Sequence, residues 1–427
     1  MGKGAAQGEG AVRSGREGSG KRTAGRWIQG DETAEALAET PAKRSVRHAF
    51  PPAPFPAPPR APPPPDRGAR PTLARARVAA GRPRAAMHAV WPHSRAVKVV
   101  AITGGTHGNE VNGAALARHL LRHPELAARG SFETKVLFSN LGAIERNVRY
   151  IDEDLNRCFY KKDLADRSRQ SAEARRAREL DAALGPKGSA APVADLIIDL
   201  HNTTANCGVA LMMPPQDELC HSIGAHLCAH DPSVRVVNFT AGKEDYPMLP
   251  TIARHGMTFE VGAVAWGCLD GALFQQSLTL LMHALDYVEA HNRAVLAGDS
   301  SAWDKRSIPV YDAVRTVDYP RYDENVSSCP GVQALIAATI HPAIRGKDFV
   351  PLRRGDPVFL TMEGETIGFD AGAAEEETET CYAFFIDEAA YYEKGIAFMI
   401  AHQSKQTVRV VSEVTVSEQS AKRPKYG

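Results

Sequence analysis

The sequence predicts an α/β protein: a mostly parallel or mixed sheet flanked by helices, then a smaller β-rich C-terminal domain, with a disordered N-terminal extension in front. Three observations predict it. Between about residues 96 and 300, short apolar runs alternate with longer helical patterns, and strands separated by helices build sheets covered on both faces. From about 301 to 415 the helical period fades into short strand-and-turn runs. Residues 1–95 hold 17 basic against 7 acidic residues, and 51–65 is mostly proline. A stretch so poor in aliphatics buries too little apolar surface to offset its chain entropy.

The elements follow in order. KVVAI (98–102) reads as a buried strand and 111–122 as an amphipathic helix. KVLFSN (135–140) is a second strand, and SRQSAEARRARELDAAL (168–184) a long charged helix. LIIDLHN (196–202), VALMM (209–213) and TFEVGA (258–263) are strands, and LFQQSLTLLMHALDYVEAHN (273–292) is a closing helix. VPLRRGDPVFLTMEGETIGF and YAFFIDEAAYYEKGIAFMIA read as short strands with turns. EEETET (375–380) is a solvated acidic loop, and 416–427 a tail.

Lys and Arg total 51 against 50 Asp and Glu. That balance gives no overall field for nucleic acid or an anionic membrane. The seven cysteines include no C-x-x-C pair, so a disulfide framework and a structural zinc cluster are both disfavoured and a reducing, cytoplasmic setting fits better. No window reaches the roughly 18 continuous apolar residues of a membrane span. For residues 1–86 two other readings stand: an organelle presequence, or translation that starts at Met87.

The stretch VVAITGGTHGNEVNGAALARHLL (99–121) passes from strand through a glycine-rich loop into a helix. Phosphate loops use G-x-x-x-x-G-K-[ST] or G-x-G-x-x-G, and GGTHGNE matches neither. His107 and Glu110, three apart on a tight turn, can instead point a nitrogen and an oxygen at one ion. The alternative is a surface histidine and a first-turn glutamate favoured by the helix dipole. A catalytic zinc usually takes three protein ligands and leaves a fourth position open. The third should sit at a strand's carboxyl end facing the same crevice. IIDLHNTTAN offers His201, with Asp199 two residues earlier on the same face of the strand, placed to orient the imidazole.

His107, Glu110 and His201 together resemble the HxxE…H set of zinc carboxypeptidase-like hydrolases. GGTHGNE, RYIDEDLNR, DLHNTTAN, FEVG and DEAAYYEKG, in that order across about 96–415, are similar to the motif series of the aspartoacylase/aminoacylase-3 family. Members of that family begin their first strand soon after the initiator methionine, as this chain would from Met87. The resemblance implies a zinc carboxypeptidase-like catalytic domain over 96–300 and a β-rich domain over 301–415. It implies one Zn2+ per chain on His107, Glu110 and His201, and hydrolysis of the amide bond of a small N-acyl amino acid. By the same resemblance Arg149 polarises the scissile carbonyl, Asn156 and Arg157 hold the α-carboxylate, and Glu260 shuttles the proton. Tyr391 contacts substrate and Tyr246 lines the pocket. Whether the chain assembles as a homo-oligomer is left open.

Aspartoacylases carry an arginine ten residues before the catalytic glutamate, gripping the side-chain carboxylate of N-acetylaspartate; here that position is Pro250. This favours the aminoacylase-3 preference for N-acyl aromatic amino acids or mercapturates. GDPVFLTMEGETI is closer to aspartoacylase, so the two signals conflict, and the pocket residue carries more weight because specificity is set there. The family's proline- and glutamine-rich stretch after the glutamate is EVGAVAWGCLDG here, with Trp266 either narrowing the pocket or filling a loop. ENVSSCPGVQALI (324–336) reads as an insertion. The alternatives are a true aspartoacylase, a zinc carboxypeptidase, and a non-catalytic acyl-amino-acid binding protein.

Overall fold

All seven residues of LIIDLHN are buried, as an apolar run too continuous to alternate requires of a strand covered on both faces. The computed structural model that shows this describes residues 95–239, 245–322, 336–370 and 380–417. The N-terminal extension read as disordered, the 324–336 insertion and the acidic loop at 375–380 fall almost wholly outside the described residues, as does most of the 416–427 tail.

The first part of the chain forms β1 (Val99–Gly104), α1 (Val111–Arg122), α2 (Pro124–Ala127), β2 (Glu133–Phe138), α3 (Leu141–Arg146), α4 (Lys161–Ala165), α5 (Ala172–Leu184) and β3 (Leu196–Asn202). Next come β4 (Gly208–Met213), α6 (Glu218–His230), β5 (Val234–Asn238), β6 (His255–Gly262) and α7 (Gly271–Ala297). The last part holds β7 (Trp303–Asp318), β8 (Ala338–Ile340), β9 (Val350–Leu352), β10 (Pro357–Thr361), β11 (Thr366–Gly368), β12 (Cys381–Phe384), α8 (Ala389–Tyr392) and β13 (Ile396–Val411).

Ten strands share one sheet in the order β2-β1-β3-β6-β4-β5-β7-β13-β12-β9. β1, β2, β3 and β6 run parallel, while β4 is antiparallel to β6. The sheet is therefore mixed. Alternate residues of the inner strands face opposite layers. Val100, Ile102, Leu196, Ile198 and Leu200 pack with Leu116 of α1 and Leu285 of α7. Ala101 and Ile197 pack with Phe159 and with Leu180 and Leu184 of α5. Each large aliphatic buried this way stabilises by about 1.5–3 kcal/mol relative to exposure.

Four elements depart from expectation. The charged helix begins at Ala172, not 168, because Ser171 caps it by accepting from the Ala174 amide. The closing helix runs longer at both ends, from its Asp270 cap to Gly298 in the left-handed region. In the β-rich part, β7 and β13 are 16 residues each rather than short. They pair antiparallel along their length, and β7 also pairs with β5. The C-terminal strands thus continue the first sheet, and among the described residues β8, β10 and β11 form a separate three-stranded sheet.

Candidate metal centre

The loop after β1 turns at Gly105, whose φ of +74° puts it in the left-handed region that glycine adopts without steric cost. It carries His107 across the carboxyl end of the sheet and delivers Glu110 to the N-cap position of α1. A Cβ on Gly113 would lie 2.3 Å from the Leu200 carbonyl oxygen, so glycine there lets α1 close onto the end of β3. Glu110 makes no capping hydrogen bond. Its carboxylate is turned inward, which removes the reading of it as a dipole-stabilising surface residue.

His107 and His201 converge on that carboxylate. His107 Nδ1 lies 2.6 Å from Glu110 Oε1, and His201 Nδ1 lies 2.7 Å from Oε2. One ligand atom from each of the three residues falls within 4.8 Å of the others, and all three residues are buried. The far nitrogens are held by carboxylates: His107 Nε2 is 3.0 Å from Asp154 Oδ1, and His201 Nε2 is 2.7 Å from Asp199 Oδ2. Asp199 is fixed in turn by the hydroxyls of Thr103 and Thr106, which donate to it at 2.7 and 2.8 Å.

This donor set fits a divalent cation. If each Nε2–H donates to its aspartate, each Nδ1 presents a lone pair to the anionic Glu110. Acceptor then faces acceptor at 2.6 and 2.7 Å, an arrangement that needs positive charge between the groups. Glu110, Asp154 and Asp199 bring three carboxylates, and Arg149 brings one guanidinium, donating to Glu110 at 3.1 Å and Asp154 at 3.3 Å. The carboxylates outnumber the guanidinium, so the site attracts a cation. Imidazole with carboxylate is a ligand set that zinc accepts, and histidines oriented by outer carboxylates are usual around it. Without a cation a proton supplies the positive charge: although burial alone would lower it, Asp199 and Glu110 hold the His201 pKa well above the ordinary histidine value.

The chain as a whole is similar to known proteins. A family model for the succinylglutamate desuccinylase/aspartoacylase catalytic domain matches residues 96–288, and one for the AstE/AspA barrel-sandwich hybrid domain matches 306–403. The chain belongs to the succinylglutamate desuccinylase/aspartoacylase family. Among its relatives are a "probable aspartoacylase" from a Nostoc species and the human N-acyl-aromatic-L-amino acid amidohydrolase (carboxylate-forming). The first is 39% identical over 304 residues, covering 71% of this chain and 96% of that one. The second is 35% identical over 324 residues, covering 74% and 94%. The crystal structure of murine aminoacylase 3 superposes with a TM-score of 0.66 at 31% identity, covering 74% of this chain and 99% of that one.

Around the centre of this family member lies a narrow cleft. Of the residues singled out from the sequence, His107, Glu110, Arg149, Asn156, Arg157, Glu260 and Tyr391 line it. Glu260 is in register with His201 across the β3–β6 pair, and its carboxyl makes no hydrogen bond to another described residue. Burial, opposed by His201 and reinforced by Glu110 and Glu388, pushes it up to about 8. Arg149 Nε is buried without a partner among the described residues. Asn156 is buried and spans two segments: its Oδ1 accepts from the Leu249 amide at 3.0 Å, and its Nδ2 lies 3.4 Å from His201 Nε2. Arg157 is exposed at the rim, donating to the Asn156 carbonyl at 2.8 Å, so the expected clamp is buried on only one side.

Tyr246 and Pro250 do not line this cleft. They line an adjoining, roomier one. Met212, Phe239 and Met248 form the wall common to both. Trp266 is 37% exposed and lines neither.

Sequence reasoning passed over two carboxylates. Asp154 was hidden in RYIDEDLNR, where the only cue is its place before a short 3-10 turn that it caps by accepting from the Asn156 amide. Glu388, in DEAAYYEKG, lines the cleft and accepts from Thr203, from both the amide and hydroxyl of Thr204, and from the Ala205 amide. It thereby ties the loop after β3, next to His201, to the C-terminal part of the chain.

Proposed function

We propose that the protein is a zinc-dependent amidohydrolase that cleaves N-acyl-L-amino acids to a carboxylate, such as acetate, and a free amino acid. The observation that supports it most is the convergence of two carboxylate-backed imidazoles on Glu110, with an unpaired, elevated carboxyl on Glu260 in the same cleft. Held by His107, Glu110 and His201, a zinc ion would supply Lewis acidity and make water a better nucleophile near pH 7.

The remaining roles belong to the chain. Glu260 accepts the proton of the attacking water and returns it to the departing amide nitrogen; a cation beside it would draw its pKa from about 8 towards the working range of a general base. Arg149 donates to the oxyanion that develops on the scissile carbonyl, in a site where water is largely excluded. Asn156 and Arg157 hold the substrate's α-carboxylate, the guanidinium as a planar fork. Tyr391, donating to Met399 Sδ at 3.5 Å, closes the cleft from the C-terminal side. A cytoplasmic enzyme acting on a small molecule is consistent with a chain in which no described helix is long and apolar enough to cross a membrane.

The adjoining cleft would receive the amino-acid side chain. Methionines 212, 213 and 248, with Phe239, Tyr246 and Pro250, present polarisable and aromatic surface suited to an aromatic or thioether group. The position of the aspartate-gripping arginine is filled by Pro250. A second reading, N-acetyl-L-aspartate as substrate, draws on Arg254 and Lys187 in the same lining. Arg254 already donates to the Ala190 carbonyl at 2.9 Å, and Lys187 pairs with Asp245 at 2.7 Å, so both are committed within the protein. Release of free amino acid from N-acetyl-phenylalanine, N-acetyl-tyrosine and N-acetyl-aspartate by zinc-loaded enzyme tests both. Faster turnover of the aromatic pair is expected, and inertness on the whole panel would refute the deacylase reading.

A further inference from the structure

Away from the cleft, the described residues hold a second convergence of metal-ligating groups. His226 and His230 stand four apart on α6, on one face of the helix, and His283 comes from α7, which packs beside it. The His226–His230 and His230–His283 ring centroids are 4.3 and 4.1 Å apart, and His226–His283 are 5.9 Å apart. One nitrogen from each ring lies within 4.8 Å of the other two. None of the three lines the catalytic cleft.

Two details point to a ligand rather than to ring stacking alone. His226 is 8% exposed, and its Nε2 is buried with no hydrogen-bond partner among the described residues. A buried ring nitrogen left so is destabilising. His230 Nδ1 donates to the His226 carbonyl at 2.8 Å, which fixes its tautomer and leaves Nε2 as a lone pair, as an outer hydrogen bond does for metal-bound histidines.

We propose that His226, His230 and His283 form a second metal site, which takes a borderline first-row ion and clips α6 to α7. Three neutral imidazoles suit Zn2+, Ni2+ or Cu2+ and offer no oxygen to Mg2+ or Ca2+. Arg306, donating to the Ala225 carbonyl at 3.3 Å, adds positive charge nearby, so attraction for the ion has to come from nitrogen coordination. A tetrahedral site with Zn–N near 2.0–2.1 Å brings its nitrogens to about 3.3–3.4 Å. The rings close that gap by side-chain rotation, with exposed His230 the freest to move. Its exposure leaves the fourth position facing water.

The test uses the full-length chain made without a polyhistidine tag, stripped with a chelator and titrated with Zn2+, Ni2+ and Mg2+. The wild type should bind two equivalents of Zn2+ and none of Mg2+. His230→Ala and His283→Asn should each bind one, with deacylase turnover within twofold of wild type. Micromolar Ni2+ should raise the melting temperature of the wild type by more than that of either variant. A wild type whose zinc stoichiometry neither His230→Ala nor His283→Asn lowers would overturn the proposal and leave the three rings as packing. So would a second ion located elsewhere by anomalous scattering.

Discussion

Glu110 and Glu260 are the same side chain in two surroundings that drive them apart. Burial by itself would raise Glu110, but His107 and His201 hold it well below the usual carboxylate range. Burial dominates at Glu260 and pushes it up to about 8. Carboxylates separated in this way suit different roles, and the proposed function gives Glu110 the cation and Glu260 the proton. Glu260→Gln should lower kcat by about 10²- to 10⁴-fold while KM changes little, as steady-state kinetics will show. In the metal-free protein the same substitution should stabilise at pH 8. Between the unfolded value near 4.5 and the folded value near 8, the folded state alone keeps the Glu260 proton, so wild-type stability falls as pH rises through that window. The gain is on the order of 2 kcal/mol, discounted because the carboxyl is partly exposed. Asp199→Asn removes the charge behind His201 and should weaken zinc binding by about 10- to 100-fold, measured by competition with a chromophoric chelator.

At the scale of elements, the proposed substrate preference turns on the short segment that starts at Tyr246. Asn156 fixes that segment to the carboxylate clamp through the Leu249 amide, and Pro250 faces the side-chain cleft. Pro250→Arg should shift the ratio of kcat/KM towards N-acetylaspartate over N-acetyl-phenylalanine by tenfold or more; an unchanged ratio would remove this segment from the account of specificity. The elements that build the centre were legible in advance. LIIDLHN matches β3 to the residue, because a strand buried on both faces has no polar edge to blur its ends, and 111–122 coincides with α1. The α6 helix and β5 were not foreseen. ELCHSIGAHLCAH is buried almost all round, so it lacks the polar stripe that marks an amphipathic helix. In RYIDEDLNR three acidic residues stand in a row, and the choice of Asp154 as the one facing His107 depends on the caps of a three-residue turn, which periodicity does not record. Tyr246 was drawn to the right region but to the neighbouring cleft, since the wall of Met212, Phe239 and Met248 comes from three separate segments of the chain.

For the whole molecule, the centre stitches the sheet together. Loop, α1, β3, β6 and, through Glu388, the C-terminal part all bring side chains to one cleft, so removing the ion should be felt globally. Chelation is expected to lower the melting temperature and make it pH-dependent. The raised His201 pKa contributes stability that is fully present below its unfolded value of 6.5 and is lost as pH rises through the folded value. Glu260 loses stability in the same direction. Metal-free protein should therefore melt lower at pH 9 than at pH 6 in calorimetry, and zinc-loaded protein should show a smaller difference. The measurement that bears most directly on the account is anomalous diffraction at the zinc edge from crystals of the loaded enzyme. It should place an ion between His107 Nδ1, Glu110 and His201 Nδ1, with turnover proportional to occupancy at that position. Full turnover from crystals or solutions in which that position holds no metal would contradict it.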